Sequence, residues 1–140
     1  MRYSRISPEF VEFIPEHLAQ GVLYVSKRYS TASHLCCCGC GLKVVTPLNP
    51  AKWQLTEHNG MISLYPSVGN WSFPCKSHYW IEGNGIRWAG VMSKSEIAAV
   101  RAADQRDTEL LLGTPTRGLL ATARAAIVAA WRGIAGWFQR

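Results

Sequence analysis

The sequence lacks the features by which secreted and membrane proteins are usually recognised. Its first residues, MRYSRISPEFVEFIPEHL, contain no apolar run of the length found in a signal peptide. No stretch of about 20 uncharged apolar residues occurs, so no transmembrane span is expected. The five cysteines are not spread out as in a secreted disulfide scaffold, because four of them lie between positions 36 and 40. We therefore expect a reduced, cytoplasmic protein.

Acidic residues are few, and they are unevenly placed. The chain has 9 Asp and Glu against 15 Lys and Arg, a net charge of +6, and no acid follows Glu109. A nucleic-acid-binding protein usually has a denser basic face than residues 1–90 carry, so no nucleic acid is expected as a partner. With 140 residues, of which 48% are hydrophobic, the chain has enough material for one small core. A metal ion would help to stabilise so thin a core.

Residues from about 20 to 90 have the pattern of short β-strands. Runs of β-branched and aromatic residues alternate with turn residues throughout this segment. The Asn59-Gly60 pair and the Gly-Asn-Gly run at 83–85 each stand between two such runs, as in β-hairpins. The pattern predicts six or seven strands here, whereas residues 1–20, which contain two prolines, are expected to be irregular.

The pattern changes at Met92 to one that is typical of helices. Ser93 and Glu96 have the spacing of a capping box at the start of a helix. After a break at 113–115, a second helix is predicted over 117–140, with a basic stripe on an apolar surface that is expected to cover the body or a partner. The fold class expected is β-rich α+β: a small zinc-stapled antiparallel β domain at 1–92, followed by a helical C-terminal extension at 93–140.

Two short segments contain residues that are typical of metal sites. HLCCCGCG, at 34–41, and PCKSHYW, at 74–80, together supply five cysteines and two histidines. Zinc accepts thiolate and imidazole ligands in tetrahedral sites, and a Cys-x-x-His spacing lets one turn present two ligands. We predict one zinc ion, bound by Cys75, His78 and two of the three thiols Cys36, Cys38 and Cys40. Two alternatives are that the cysteines are small buried hydrophobic residues, or that Cys37 and Cys40 form a redox pair.

The segment from 63 to 80 also places polar groups among aromatic ones, which is typical of a catalytic cleft. Ser67 and Ser77 are the candidate nucleophiles, His34 is the candidate base and Asn70 the candidate oxyanion donor. Each also has a structural interpretation. Ser67 lies among turn residues, and the Ser77 hydroxyl is placed to bond a ligand thiolate.

The two Cys/His segments carry a resemblance to a known family. HLCCCGCGLKVVTPL and SLYPSVGNWSFPCKSHYWI resemble a family of small bacterial proteins catalogued as domain of unknown function number 6527. The family's pattern is similar to H-x-C-x-C-G-C-G followed by PS-x-GNW-x-x-PC-x-SHYWI, and Cys37 stands at a position that this pattern leaves open. The resemblance covers roughly residues 10 to 107 and stops before the Arg/Ala-rich tail.

The resemblance implies a cellular setting and a role. Such proteins are similar to members of bacterial operons that encode ubiquitin-like proteins with E1-like and E2-like conjugating enzymes. It implies a metal-containing peptidase that trims or removes the ubiquitin-like modifier, so the expected partner is that modifier or its conjugating enzymes.

Two function classes therefore remain open. The first is a hydrolase, dependent either on a Ser/His pair or on the zinc; the second is a non-catalytic, zinc-stabilised protein-binding module, or adaptor. The number of protein ligands distinguishes a structural zinc from a catalytic one. Four protein ligands indicate a structural zinc and leave any catalysis to Ser and His, whereas a catalytic zinc needs an open position.

Overall fold

The computed structural model describes residues 1–113, which form eight strands and one helix. In chain order they are β1 (Ser7–Phe10), β2 (Val22–Ser26), β3 (Thr31–Leu35), β4 (Lys43–Pro47), β5 (Gln54–His58), β6 (Met61–Gly69), β7 (His78–Glu82), β8 (Gly85–Trp88) and α1 (Lys94–Leu112). The predicted β-rich α+β fold class is confirmed.

The strands form two four-stranded sheets that follow the chain order. One sheet is β1-β2-β3-β4 and the other is β5-β6-β7-β8. Every neighbouring pair is antiparallel except β1 and β2, which are parallel. Buried apolar side chains from both sheets, including Leu23 and Val25 from the first and Ile62 and Tyr79 from the second, belong to one cluster. The two sheets therefore bury a common core.

Both predicted hairpins are present, with the turns that their sequences favour. Asn59 and Gly60 have φ values of 50° and 73°, and Gly83 and Asn84 have values of 53° and 64°. Two successive residues with positive φ are what a two-residue type I′ turn requires, and Asn and Gly adopt that region most readily. The second turn is one residue shorter than the Gly-Asn-Gly run, because Gly85 already belongs to β8.

The expectation of an irregular N-terminus is wrong for residues 7–10, whereas residues 11–20 form no strand or helix. Residues 7–10 form β1, which pairs in parallel with β2, and Ile6 just before it is only 1% exposed. Pro8 is accommodated because β1 lies at the edge of its sheet, where a residue without an N–H breaks no ladder. A parallel partner comes without a hairpin turn, so no local sequence signal marked this strand.

Helix α1 begins with the predicted capping box. The Ser93 hydroxyl accepts a hydrogen bond from the Glu96 N–H at 3.3 Å, and the Ser93 N–H donates to the Glu96 carboxylate at 2.7 Å. The helix buries none of its residues, and an ion pair of 2.8 Å between Lys52 and Asp104 joins it to the chain before β5. Within residues 1–113 no helix is long and apolar enough to cross a membrane. The second helix predicted over 117–140 lies outside the described residues, and the boundary after residue 92 stays a prediction.

Candidate functional site

Two loops bring four cysteine thiols together. One loop follows β3 and supplies Cys36, Cys38 and Cys40; the other precedes β7 and supplies Cys75. The four Sγ atoms all lie within 4.8 Å of one another, and that of Cys75 is 3.9 Å from those of Cys36 and Cys40. Sulfurs bound to one zinc ion at about 2.3 Å are about 3.8 Å apart at tetrahedral corners. The four thiols therefore fit a metal, and a metal held by them would join the two loops.

Glycines allow the first of these loops to fold back on itself. Gly39 and Gly41 have φ values of 84° and 79°, a region that side chains disfavour. The Gly39 N–H donates to the Cys36 carbonyl at 3.0 Å, and the Cys36 N–H donates to the Leu42 carbonyl at 2.8 Å. These two bonds close the loop, so that the thiols on either side of Gly39 reach one centre.

The surroundings of the thiols favour a thiolate at one of them. Burial raises the pKa of Cys36. At Cys75, burial also raises the pKa, but hydrogen bonds with Ser77 and with the Cys38 and Cys40 thiols outweigh it and bring the pKa down to about 7. A metal is bound by thiolates, so Cys75 is the member of the group best prepared to bind one at neutral pH.

The structure does not place His78 with the thiols, in contrast to the predicted ligand set. It groups Cys75 with all three cysteines of the first loop, and His78 lies outside that group. The reason is that β7 begins at His78, and successive side chains of a strand point to opposite faces. Tyr79 is directed into the core, so His78 is directed away from it. Cys37, the fifth cysteine, is 2% exposed in the core, and burial raises its pKa to about 12.

Three of the predicted catalytic residues lie in a buried network beneath the thiols. The Ser77 hydroxyl is 3.0 Å from the Cys36 sulfur and accepts a hydrogen bond from the Asn70 amide at 2.9 Å. The same amide lies 3.4 Å from the Tyr79 hydroxyl, which is 2.8 Å from Nε2 of His34. Ser77, Asn70 and His34 are all at least nine-tenths buried. The network therefore contacts the thiol centre on its buried side, through Ser77 and Cys36.

This placement differs from the predicted roles of His34 and Asn70. The sequence predicts His34 to be the base for Ser67 or Ser77, but its Nε2 atom is hydrogen-bonded to the Tyr79 hydroxyl, and burial lowers its pKa to about 4. Asn70 was predicted to be an oxyanion donor for a substrate, but its amide donates to Ser77. Neither residue lines the cleft that contains Ser67.

Ser67 is instead paired with His78, on the outer face of the second sheet. Its Oγ atom lies 2.9 Å from Nε2 of His78. Gly69 of β6 stands opposite His78 of β7. Ser67 and Gly69 flank Val68, whose side chain is buried in the core, so both lie on the outer face beside His78. A serine hydroxyl bonded to an imidazole is the arrangement that general-base catalysis requires.

Two indole rings hold His78 in this position. Its ring centroid lies 4.8 Å from that of Trp71 and 5.0 Å from that of Trp80. Burial by these neighbours lowers the pKa of His78, so the imidazole is neutral at pH 7 and is able to accept a proton. Its Nδ1 atom is buried and has no hydrogen-bond partner within residues 1–113.

Ser67 and His78 lie in a cleft of about 480 Å³ between the second sheet and α1. Aromatic side chains form much of its surface, and the helix contributes charged ones. The lining includes Trp53, Tyr65, Ser67, Trp71, His78 and Asp104. The cleft lies on the face of the sheet away from the core, whereas the thiol centre lies beyond the carboxyl end of β6.

A family profile described as "Bacterial ubiquitination-like system serine protease (BubE)" matches residues 10–89, more than half of the chain. The chain belongs to the BubE family. The match includes all four clustered thiols and both members of the Ser67–His78 pair. BubE membership supports the association with bacterial ubiquitination-like systems, while identity with the family numbered 6527 stays a prediction. Comparison with curated proteins gave no match, and neither did comparison with solved structures.

Sequence reasoning missed the Ser67–His78 pair, although a signal for it was present. The Cys-x-x-His spacing predicts His78 to be a metal ligand, and this prediction conceals its pairing with Ser67. The run SHYWI has strand character from His78 onward, and a strand predicts that His78 and Trp80 share one face while Tyr79 takes the other. The same period of two joins Ser67 to Gly69.

We expect Gly69→Ala to destabilise the protein through Trp71. A Cβ atom at Gly69 would lie 2.5 to 2.6 Å from three atoms of the Trp71 indole, so the ring would have to move. Overpacking of this kind costs about 1–3 kcal/mol of unfolding free energy, measurable by urea denaturation with tryptophan fluorescence. Gly90→Ala is the matched control, because a Cβ there meets no atom within 4 Å. Equal stability of the two variants would contradict the packing of Trp71 on Gly69.

Proposed function

We propose that this protein is a serine peptidase that cleaves the amide bond following the C-terminal residue of a ubiquitin-like modifier. The observation that carries the proposal is the 2.9 Å contact between Ser67 Oγ and His78 Nε2 in the cleft. The description of the BubE family as proteases of bacterial ubiquitination-like systems supports both the chemistry and the choice of substrate.

In the first half of the reaction, Ser67 is the nucleophile and His78 the base. His78 Nε2 takes the hydroxyl proton as Oγ attacks the carbonyl carbon, and a tetrahedral intermediate forms. His78 then gives that proton to the leaving amine as the C–N bond breaks. The modifier remains attached to Ser67 through an ester.

In the second half, water replaces the amine. His78 takes a proton from water, whose oxygen attacks the ester carbonyl, and the proton passes to Ser67 Oγ as the C–O bond breaks. The products are a modifier with a free carboxyl terminus and the restored serine. Each step uses the same imidazole in alternating roles, which requires that His78 be neutral at the start.

We further propose that zinc is the metal of the thiol centre, held by Cys36, Cys38, Cys40 and Cys75. Four thiolate ligands complete a tetrahedral zinc site, so bound zinc would supply structural cross-linking. It would tie the loop after β3 to the loop that leads into β7, at whose first residue His78 lies. All five cysteines are free thiols, which suits the reducing cytoplasm that we propose as the setting.

The pH dependence of cleavage follows from the environment of His78. The base must be neutral, so kcat/KM falls as the pH drops through the pKa of His78. Because burial lowers that pKa below the ordinary value of about 6.5, we expect the acid limb to lie below pH 6.5 and the rate to be level from pH 7 to 8. The cleft is lined by two basic and two acidic residues, whose charges cancel: Lys52, Arg101, Asp104 and Asp107. A profile of kcat/KM against pH checks this, and an acid limb centred above pH 7 would contradict it.

The test of the proposed function uses the ubiquitin-like protein of the same operon, extended at its C-terminus by a short peptide. We expect the wild-type protein to release the extension and the Ser67→Ala variant to leave it attached, with both products identified by intact mass. The adaptor alternative predicts a stable complex with the modifier or its conjugating enzymes and no cleavage by either protein.

A further inference from the structure

Strand β6 is longer than its neighbour β5, and the excess borders the cleft. The pairing of β5 with β6 ends where Gln54 stands opposite Tyr65, whereas β6 continues to Gly69. Within residues 1–113 no backbone hydrogen bond joins residues 50–53 to residues 66–69. Beyond Tyr65, the side of β6 that faced β5 is therefore an open edge.

The direction of the backbone groups along this edge follows from the contacts with β7. The Asn70 N–H donates to the Ser77 carbonyl at 2.9 Å, so the backbone groups of Asn70 point towards β7. In an antiparallel strand, the N–H and C=O groups of one residue point to the same side, and those of the next residue point to the other side. Those of Gly69 therefore point away from β7, to the open edge, where an unpaired strand is a template for another strand. Ser67 lies in the stretch between Leu64 and Val68, where the register with β7 shifts, so this alternation assigns the direction of Gly69 alone.

The side of the cleft that faces this edge carries groups that are able to contact a bound peptide. It includes Lys52 and Trp53, which line the same cleft as Ser67 and Gly69. The indole N–H of Trp53 is buried and has no acceptor within residues 1–113. A buried donor without an acceptor is unfavourable in the free protein, and a bound strand would offer it a carbonyl once the indole turns its N–H towards the cleft.

We propose that the substrate binds as an extended strand along residues 67–69 of β6, in the space that β5 leaves open. Its scissile carbonyl then lies beside the hydroxyl of Ser67, and its upstream amides pair with the backbone of Gly69. The inference rests on the proposed function and specifies its substrate class: a linear, extended C-terminal segment, recognised through its backbone rather than as part of a folded loop.

A scan of backbone amides tests the strand geometry. The probe is a synthetic peptide with the last eight residues of the operon's ubiquitin-like protein and a short extension, with single upstream amides replaced by esters. Each ester removes one N–H donor without adding bulk. Because alternate residues of a strand face β6, we expect losses in kcat/KM of about tenfold at every second position and little change between them. Equal losses at all positions, or none at any, would overturn the strand geometry.

Binding without turnover provides the second measurement. The Ser67→Ala protein, labelled with nitrogen-15, is titrated with the unmodified peptide. We expect the Gly69 amide resonance to shift and its hydrogen exchange to slow at least tenfold, while the Gly60 amide in the β5–β6 turn stays unchanged. Failure of the Gly69 amide to respond would overturn the proposal.

The two measurements distinguish a failure of this inference from a failure of the proposed function. Cleavage of the unmodified peptide without the alternating pattern or protection of Gly69 refutes strand binding and leaves the peptidase intact. Protection of Gly69 in Ser67→Ala, with no cleavage by the wild-type protein, supports strand binding and refutes the peptidase.

Discussion

Replacing Ser67 with alanine should reduce kcat/KM for modifier cleavage by at least about four orders of magnitude, because it removes the nucleophile from a pair that acts as a unit. Fold and metal should be unaffected. The side chain is half-buried in the cleft, its contact is with His78, and it is not a member of the thiol group. The measurement is single-turnover cleavage of the extended modifier, with zinc content and thermal midpoint determined on the same sample.

Other serine and histidine variants make this result specific. His78→Ala should lose a similar factor, and the double variant with Ser67→Ala should be no worse than either single one. Ser72→Ala, at an exposed serine outside the cleft lining, is the matched control and should retain full activity. Full cleavage by Ser67→Ala would contradict the assignment and make a metal-bound water the better candidate for the nucleophile.

Replacing Cys75 with serine should remove the metal and much of the stability. Cys75 is the one member of the thiol group contributed by the loop before β7, so its loss separates that loop from the other three ligands. Metal binding and folding are coupled in sites of this kind, and we expect the unfolding free energy to fall by at least about 3 kcal/mol. That corresponds to a decrease of about 10 °C or more in the thermal midpoint.

Zinc per chain, measured by mass spectrometry of the elements, should fall from about one to near zero in Cys75→Ser. Cys37→Ala is the matched control: it removes a neighbouring buried thiol that is not in the group, and it should keep its zinc. A wild-type protein that is folded and stable without metal, or a Cys75→Ser protein that keeps a full complement, would contradict the structural role.

Local signals in the sequence predicted the fold well where the structure depends on neighbours in the chain. The Asn59-Gly60 turn and the Ser93 capping box are present because a few adjacent residues suffice to form them. Strand β1 was missed because its parallel pairing with β2 depends on a contact between distant segments, which carries no turn residue. A four-residue strand that contains a proline offers too short a pattern to reveal it.

In the candidate site, too, local sequence signals predicted which residues are close in the chain but not which side chains meet in the fold. Spacing identified the cysteines of the thiol group, because loops with glycine bring nearby thiols together. Spacing alone could not tell that β7 begins at His78, which turns its imidazole away from Cys75 and towards Ser67. The roles of His34 and Asn70 depend on burial against Tyr79 and Ser77, which only the packing of the two sheets determines.

The central claim is that Ser67 is a nucleophile activated by His78, and a covalent trap tests it most directly. The wild-type protein is treated with a fluorophosphonate, which phosphonylates an activated serine hydroxyl, and the adduct is located by peptide mass spectrometry. We expect one adduct, on Ser67, that is absent from Ser67→Ala and forms at least about a hundredfold more slowly in His78→Ala. An adduct on Ser77, or a wild-type protein that cleaves the modifier while Ser67 remains unlabelled, would contradict it.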